Sequence, residues 1–501
     1  MNTLIFTHAE PKYLPPVILS PDETICGPWY TNLKIDGRYR YRHTLGGIFD
    51  ASDTLADIRP QDKPDLILVH ADSTGGCFPR NLPNHCTKVL LVGDTHHLSF
   101  PIQKLVNYAS IEPFDAIGVW NRQHAHFFTE LGLSNVFWMP GLLFSIPETA
   151  TAPARTEDIS FFGQLNDKHT RRLRILKAVM GAGYQVAGGF LSRRESLELA
   201  AKSTAALNVS LNGDLNLRIF EVTQNGALLY TDQLSHFSGL HHFYNDGENI
   251  AIYNSIEELL SKIKYYSNHP AEGSRIAGAG QKVTEQHFSL QARSSYFLNL
   301  LNNGNCYEAF QLRDEPRCRI RSSSPENKAA TLRRIQIYEI IQDIHRTNDA
   351  PKVVLTSSVS PFIAIDLADL VRLKQQIVAG PQNYENHIQP LISQMGVRYL
   401  TRMDPHAFDS CQVDVCITKR EELPTLLPKI RGSKTKVCIW DFDTEDRSLI
   451  QTMKSNGFNE PNESTPGLFN PVSIDTNFEI SQENEGSPIN HTGALSETAA
   501  S

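Results

Sequence analysis

The sequence predicts an α/β protein: two Rossmann-like domains facing a cleft, then a C-terminal degenerate Rossmann-like α/β domain and a disordered tail. Three observations carry this. Short apolar runs alternate with helical patterns through the first 300 residues, as expected of parallel sheets covered on both faces. The rhythm breaks at "PETATAPARTED" (147–158) and again after residue 301, where no period is sustained. The 501 residues allow about three domains.

The elements follow in order. In the first domain, residues 1–150, "DLILVH" (65–70), "KVLLVGD" (88–94), "AIGVW" (116–120) and "NVFWMPG" (135–141) read as buried strands. The opening "MNTLIFTHAEPKYLPP" holds a short apolar run without a basic flank, so no signal peptide is expected. Nothing approaches the roughly 18 apolar residues of a membrane span. The second domain, residues 155–301, restarts with "ISFFG" (159–163), an Arg/Leu-rich helix (170–179), "YQVAGG" (184–189), "AALNVS" (205–210) and "IAIY" (250–253). Ser255 and Glu258 then form a capping-box pattern, and Ile256, Leu259, Leu260 and Ile263 recur on one helical face. A further helix covers 275–286. Residues 302–330 read as a linker.

A third unit, residues 331–458, repeats the alternation with "KVVLTSS" (352–358), "QIVAGP" (376–381), "VRYLT" (397–401), "VDVCITK" (413–419) and "KVCIWDF" (436–442). Its later part resembles class I methyltransferases, yet the glycine-rich first turn that would hold their cofactor is missing. Residues 459–501 are polar and turn-rich, and are expected to be a disordered tail.

Composition narrows the function. A net charge of −8 argues against nucleic acid as a partner while leaving room for a local basic pocket. Eight scattered cysteines without a CxxC pair read as reduced thiols of a cytoplasmic protein, and no metal site is expected. The Asp441-x-Asp443 pair resembles a metal-binding DxD but lies in the third unit, away from the other motifs. His124 and His126 in "NRQHAHF", two apart on an expected helix, diverge. His241 and His242 read as loop polarity.

The stretch "LRIFEVTQNGALLYTD" (217–232) carries the chemistry. Glu221 is an acceptor-only carboxylate, suited to the two hydroxyls of a ribose. Arg218 is suited to phosphate. The Gly226–Ala227 turn has no bulky side chain, so backbone amides there could approach a diphosphate. Together these describe a nucleotide-diphosphate site in a cleft at the carboxyl ends of strands.

The ordered run Asn216, Arg218, Phe220, Glu221, Gly226, Ala227, Thr231 and Asp232 continues with "FYNDGENIAIY" (243–253), Glu257, Glu258, Tyr265, Tyr266, Ile276, Ala277, Gly280, His287 and Phe288. It resembles the C-terminal half of GT-B glycosyltransferases, closest to the spore-maturation-type, group 1 glycosyltransferase-like proteins. The resemblance covers about residues 155–300. It implies that Glu221 is the second glutamate of the family's E-x7-E pattern, which binds the donor ribose. The first glutamate is absent: position 213 is Gly213, with Asp214 beside it. That departure puts a retaining mechanism in doubt. The resemblance places Gly163 against the diphosphate, with Lys168, Arg171 and Arg172 downstream as phosphate ligands; Arg171 is the preferred one.

In the first domain "VGDTHH" (92–97) follows a buried strand, so Asp94, His96 and His97 are expected at its carboxyl end as general base or its orienting partner. The reading is a metal-independent sugar transfer from a nucleotide-diphosphate sugar, with no other cofactor. The acceptor is a glycan, a lipid-linked glycan or a protein, and peripheral membrane association is compatible. The alternatives are an inactive binding or scaffold protein of this fold, and a nucleotide-sugar epimerase.

Overall fold

The computed structural model describes residues 1–15, 17–72, 74, 76–96, 100–144, 154–165, 169–304, 310–312, 315–319, 324–347, 353–356, 362–367, 370, 377–379, 398–400, 413–430, 433–442, 445–461 and 467–470. Three sheets form its layers. The first contains β1 (Thr3–Thr7), β2 (Glu23–Gly27), β3 (Leu33–Ile35) and β4 (Arg38–His43). A separate short pair joins β5 (Ile48–Asp50) to β7 (Phe78–Arg80). The main sheet is completed by β6 (Leu66–Ala71), β8 (Thr87–Val92), β9 (Ala116–Val119) and β10 (Val136–Trp138). Its order is β10-β9-β8-β6-β1-β2-β4-β3, parallel except for the β3–β4 hairpin at the edge.

Every residue of β6 is buried, as it must be in a strand paired on both sides and covered on both faces. The same holds for β1, the first strand of the chain, which sits between β2 and β6. The apolar run "TLIFT" is thus a central strand.

The second sheet, order β12-β11-β13-β14-β15, is parallel throughout. It comprises β11 (Glu157–Phe162), β12 (Val186–Gly189), β13 (Ser203–Asn208), β14 (Leu228–Asp232) and β15 (Ala251–Tyr253). Helices alternate with these strands, as the sequence rhythm requires. From the chain start they are α1 (Ser52–Ala56), α2 (Pro101–Ile111), α3 (Ala125–Glu130), α4 (Thr170–Gly181), α5 (Arg193–Lys202), α6 (Leu217–Gln224), α7 (Ile256–Asn268), α8 (Pro270–Phe288), α9 (Leu290–Asn303) and α10 (Pro325–Thr347). At α7, Ser255 accepts from the Glu258 N–H as expected, but Glu258 returns its bond to Asn254 N–H instead. Among the described residues no helix is long and apolar enough to cross a membrane.

The two domains share one core. Phe137, Trp138 and Leu142 of the first pack in the same cluster as Phe220, Leu229 and Phe288 of the second. α9 crosses back to the first domain, where Ser294 Oγ donates to Ile18 O at 2.7 Å and Arg293 Nη2 donates to Phe144 O at 2.8 Å.

Residues after 301 depart from the linker reading. Phe310 is 1% exposed and stacks on Tyr296. Glu315 and Arg317 are buried and paired at 2.9 Å against the first domain. The helix α10 begins inside the expected linker, at Pro325. It packs on α2 and α3 through buried polar groups. Glu339 Oε1 accepts from the N–H groups of Ile102 and Gln103 at the start of α2. Arg334 bridges Glu130 of α3 at 2.8 Å and Asp366 of the third unit at 2.7 Å. Glu315 and Arg317 lie in a stretch without apolar periodicity, so the pattern gives no sign of their burial.

The third unit holds a sheet of order β16-β19-β20-β21 and a separate pair, β17–β18. The strands are β16 (Val353–Leu355), β17 (Ile377–Ala379), β18 (Arg398–Leu400), β19 (Val415–Thr418), β20 (Lys436–Ile439) and β21 (Leu468–Phe469). β21 corrects the expected tail: Phe469 is fully buried, and Leu468 and Phe469 pair antiparallel with β20. A two-residue edge strand in polar surroundings leaves no readable pattern. Residues 471–501 lie outside the described residues.

Candidate active site

A cleft of about 620 Å³ opens where the carboxyl ends of the first two sheets face each other. That is where an open parallel sheet offers loops and helix N-termini to a ligand. Its two walls differ in chemistry.

The second-domain wall is built at the end of β11 and the start of α6. The chain turns at Gly163 with φ +144°, and a side chain there would collide with the Arg218 guanidinium. The missing Cβ therefore makes room for an arginine. Arg218 Nη1 donates to Asn208 Oδ1 at 3.0 Å, and Asn208 is itself fixed by donating to Thr231 Oγ1 at 3.0 Å. The guanidinium lies 4.9 Å over the Phe161 ring, yet Arg218 Nε has no partner among the described residues. Burial pulls its pKa down to about 9, helped by Arg172 and opposed by Glu221. At neutral pH it is still a cation.

Asn216 occupies the N-cap position of α6 but makes no cap bond, and both atoms of its side-chain amide lack partners among the described residues. Glu221 stands one turn into the helix, buried, with Oε1 3.5 Å from Arg193 Nη2. Burial pushes its carboxyl pKa up, with Arg193 and Arg218 pulling it back. Asp214 also lines the cleft, accepting from the Leu211 N–H at 3.3 Å, so a carboxylate stands one residue beyond the absent glutamate.

Three expectations on this wall change. Arg171 does not line the cleft. It is paired with Asp232, which is fully buried and also accepts from Ser210 N–H and Oγ. Arg172 takes its place: it lines the cleft, and its Nε and Nη1 donate to Val209 O at 3.0 Å and Gln164 O at 3.2 Å. Adjacent positions on a helix point about 100° apart, so sequence could not choose between them. Gly226 and Ala227 lie at the opposite end of α6 from the cleft. There the helix exposes carbonyls and negative potential; Arg155 Nη2 donates to Gly226 O and Asn225 O, both at 2.8 Å. Those carbonyls and that charge are wrong for phosphate. Lys168 lies outside the described residues.

The first-domain wall includes Asp94 and His96, as expected, but His96 is 1% exposed and held on both sides. Gln342 Nε2 of α10 lies 3.1 Å from His96 Nδ1, and the Gln123 amide lies 3.2 Å from His96 Nε2. A neutral imidazole has one donor and one acceptor nitrogen. With Gln123 Nε2 donating to His96 Nε2 and to Gly213 O, the Nδ1–H matches the Gln342 carbonyl once that amide is turned over. With both nitrogens committed, His96 is a structural residue rather than a base. Asp94 Oδ1 accepts from the His96 N–H at 2.7 Å. His97 lies outside the described residues.

His124 and His126 diverge as expected. The first is bonded to Thr95 and Tyr338, and the second is paired with Glu130 at 3.1 Å.

The residue that sequence reasoning missed is His70, the penultimate residue of β6. Its Nδ1 lies 3.1 Å from Thr7 Oγ1, which already accepts from Ala9 N–H, and its ring lines the cleft. Burial lowers its pKa, with His8 acting in the same direction and Asp72 opposing. It is therefore neutral at pH 7. "DLILVH" was read for its apolar run alone; the signal available was a histidine closing a strand of the expected parallel sheet.

The floor of the cleft ties the domains together. Trp120 Nε1 donates to Leu215 O at 3.2 Å, Gln123 Nε2 contacts Gly213 O at 3.4 Å, and Asn212 Nδ2 donates to His96 O at 3.3 Å. His345 of α10 bonds Asn212 at 3.0 Å. The third unit's leading helix thus reaches the floor of the cleft.

With this geometry in hand, residues 156–299 match the family model described as "Glycosyl transferase-like". The match spans the second domain alone. No curated protein matches the chain. Among solved structures, HepE from Anabaena in complex with UDP and glucose is 13% identical over 60% of this chain and 98% of its own, with a TM-score of 0.40. Sucrose-phosphate synthase from Thermosynechococcus elongatus is 11% identical over 60% and 98%, with a TM-score of 0.41. TarM is 12% identical with a TM-score of 0.36; the chain aligns over 48% of itself and spans 55% of TarM's length. The two parallel-sheet domains and their shared cleft are GT-B-like in architecture.

Proposed function

We propose that the protein transfers a sugar from a nucleotide-diphosphate sugar to an acceptor hydroxyl. The observation that carries this is the set of buried polar atoms left without partners at the mouth of α6: both amide atoms of Asn216 and Nε of Arg218. Buried polar groups are almost always paired in a protein at rest, so their convergence beside Gly163 marks a place reserved for a polar ligand. The diphosphate lies against Arg218 and Arg172, and the ribose hydroxyls meet Glu221. The base extends toward Leu191 and the exposed Phe190 at the rim.

Across the cleft, with its Nδ1–H donating to Thr7 Oγ1, His70 Nε2 takes the proton of the acceptor hydroxyl. The acceptor oxygen bonds to the anomeric carbon, and the bond from that carbon to the phosphate oxygen breaks. Its electron pair stays on the departing nucleoside diphosphate, whose growing charge meets the two guanidinium groups. Asp214 is placed to accept from hydroxyls of the transferred sugar.

Incubating the full chain with a panel of nucleotide sugars, and following release of nucleoside diphosphate, tests this. Release from one donor that is lost in Arg218→Met supports it. Binding of no nucleotide by calorimetry removes it. Product formed without any acceptor or water incorporation turns the reading to an epimerase.

A further inference from the structure

The two walls of the cleft carry opposite charge. The second-domain wall presents Arg172, Arg193 and Arg218 beside Asp214 and Glu221. The described residues that line the first-domain wall include Asp72 and Asp94 and not one lysine or arginine. His70 and His96 contribute no positive charge: the first is neutral at pH 7 and the second is held between two amides. The rest of the wall is aromatic, with Trp120 and Phe144 edge to face at 5.1 Å; Tyr13 at the opening has Lys12 at 5.0 Å and Arg193 at 5.7 Å over its ring.

This surface selects by chemistry. Carboxylates accept hydroxyl hydrogen bonds and have none to donate, so they pair with a polyol and repel phosphate, sulfate or uronate. Aromatic faces are large, apolar and electron-rich, and they suit the electropositive C–H faces of a pyranose. Asp72 Oδ1 is anchored by accepting from the Thr74 N–H at 2.9 Å, and Asp94 by His96 N–H at 2.7 Å. Both charges are therefore held in place at the end of buried strands.

We propose that the acceptor is an uncharged, polyhydroxylated glycan, and that Asp72 and Asp94 reject acceptors bearing phosphate, sulfate or carboxylate near the accepting hydroxyl. This rests on the donor reading above. The repulsion acts only on the first-domain side, so the same cleft can hold an anionic donor and exclude an anionic acceptor.

The test is an array of neutral oligosaccharides printed beside their uronate, sulfated and phosphorylated counterparts. It is probed with the full chain after nucleotide binding has been measured by calorimetry and saturated. Neutral glycans should be retained about tenfold or more tightly over their anionic counterparts, since like charges in a partly buried cleft disfavour binding strongly. The double variant Asp72→Asn, Asp94→Asn keeps the oxygens that accept from Thr74 and His96, so the turns survive. In it the gap should close mainly through stronger retention of the anionic glycans. Equal or tighter binding of the anionic set by the native chain overturns the proposal, as does retention of no neutral glycan. Loss of nucleotide binding in the first step would instead remove the donor reading itself.

Discussion

The two walls of one cleft differ in how they use buried polar groups. On the second-domain wall, Asn216 and Arg218 keep atoms without partners, and Glu221 sits with a raised carboxyl pKa. On the first-domain wall, His96 has both ring nitrogens engaged, and Asp94 is bonded to its own loop. One wall stores unsatisfied hydrogen-bonding capacity; the other is largely closed, with His70 as its open group. The difference teaches that burial alone does not mark a working residue. A buried group whose partners are all supplied by the protein is architecture, whereas one with a vacant valence is waiting for a ligand.

The largest effect expected from breaking this comparison falls on His70. His70→Gln should lower turnover by about 10² to 10⁴-fold, the usual contribution of a general base, with nucleotide affinity unchanged by calorimetry. Burial holds the His70 pKa below its ordinary 6.5, so native turnover should stay flat from neutral pH down to that value and fall only below it. His96→Gln, by contrast, should act through folding, seen as a lower Tm.

Next in size is the donor wall. Arg218→Met removes a buried cation and strands Asn208. It should weaken nucleotide binding by about 2–5 kcal/mol. Lysine should not restore it, because the gap left by Gly163 fits a planar guanidinium.

Glu221→Ala should weaken donor binding by about 1–3 kcal/mol. The Glu221 pKa is raised above its ordinary 4.5, and only the carboxylate accepts two hydroxyls. Native affinity should therefore fall on acidification at a pH above 4.5, while Glu221→Gln shows no such dependence. The stability sign runs the other way. A raised pKa means that the protonated form is favoured in the fold, so this group's contribution is present below 4.5 and lost as pH rises through the folded value.

The smallest effect on the site is predicted for Gly226→Ala. Its φ of +64° strains any other residue, at about 1–2 kcal/mol of stability, while donor affinity stays unchanged. A loss of affinity there would return the diphosphate to that turn.

Much of the fold was legible because buried parallel strands write themselves as apolar runs: "DLILVH", "KVLLVGD" and "ISFFG" all became central strands. β21 was not legible, being two residues long. The docking of α10 joins Ile335, Ile337 and Ile341, in the core of the first domain, to Glu339, Arg334 and Gln342, polar residues whose partners lie more than 200 positions away in sequence. No local pattern encodes such pairings. In the site, Arg218, Glu221 and Asn216 were found because their residue types fit a nucleotide and their order fits a family. Arg171 was preferred to Arg172, and His70 was missed, because choosing them needs the direction of a side chain, which spacing does not supply.

The central claim is that the vacant polar atoms around Arg218 are a nucleoside-diphosphate seat. Calorimetric titration of the full chain and of Arg218→Met with UDP, GDP and ADP tests it most directly. The account predicts that one of these binds the native chain and binds the variant at least about tenfold more weakly, with Tm little changed. Absence of binding to all three, or equal affinity in the two proteins, would contradict it.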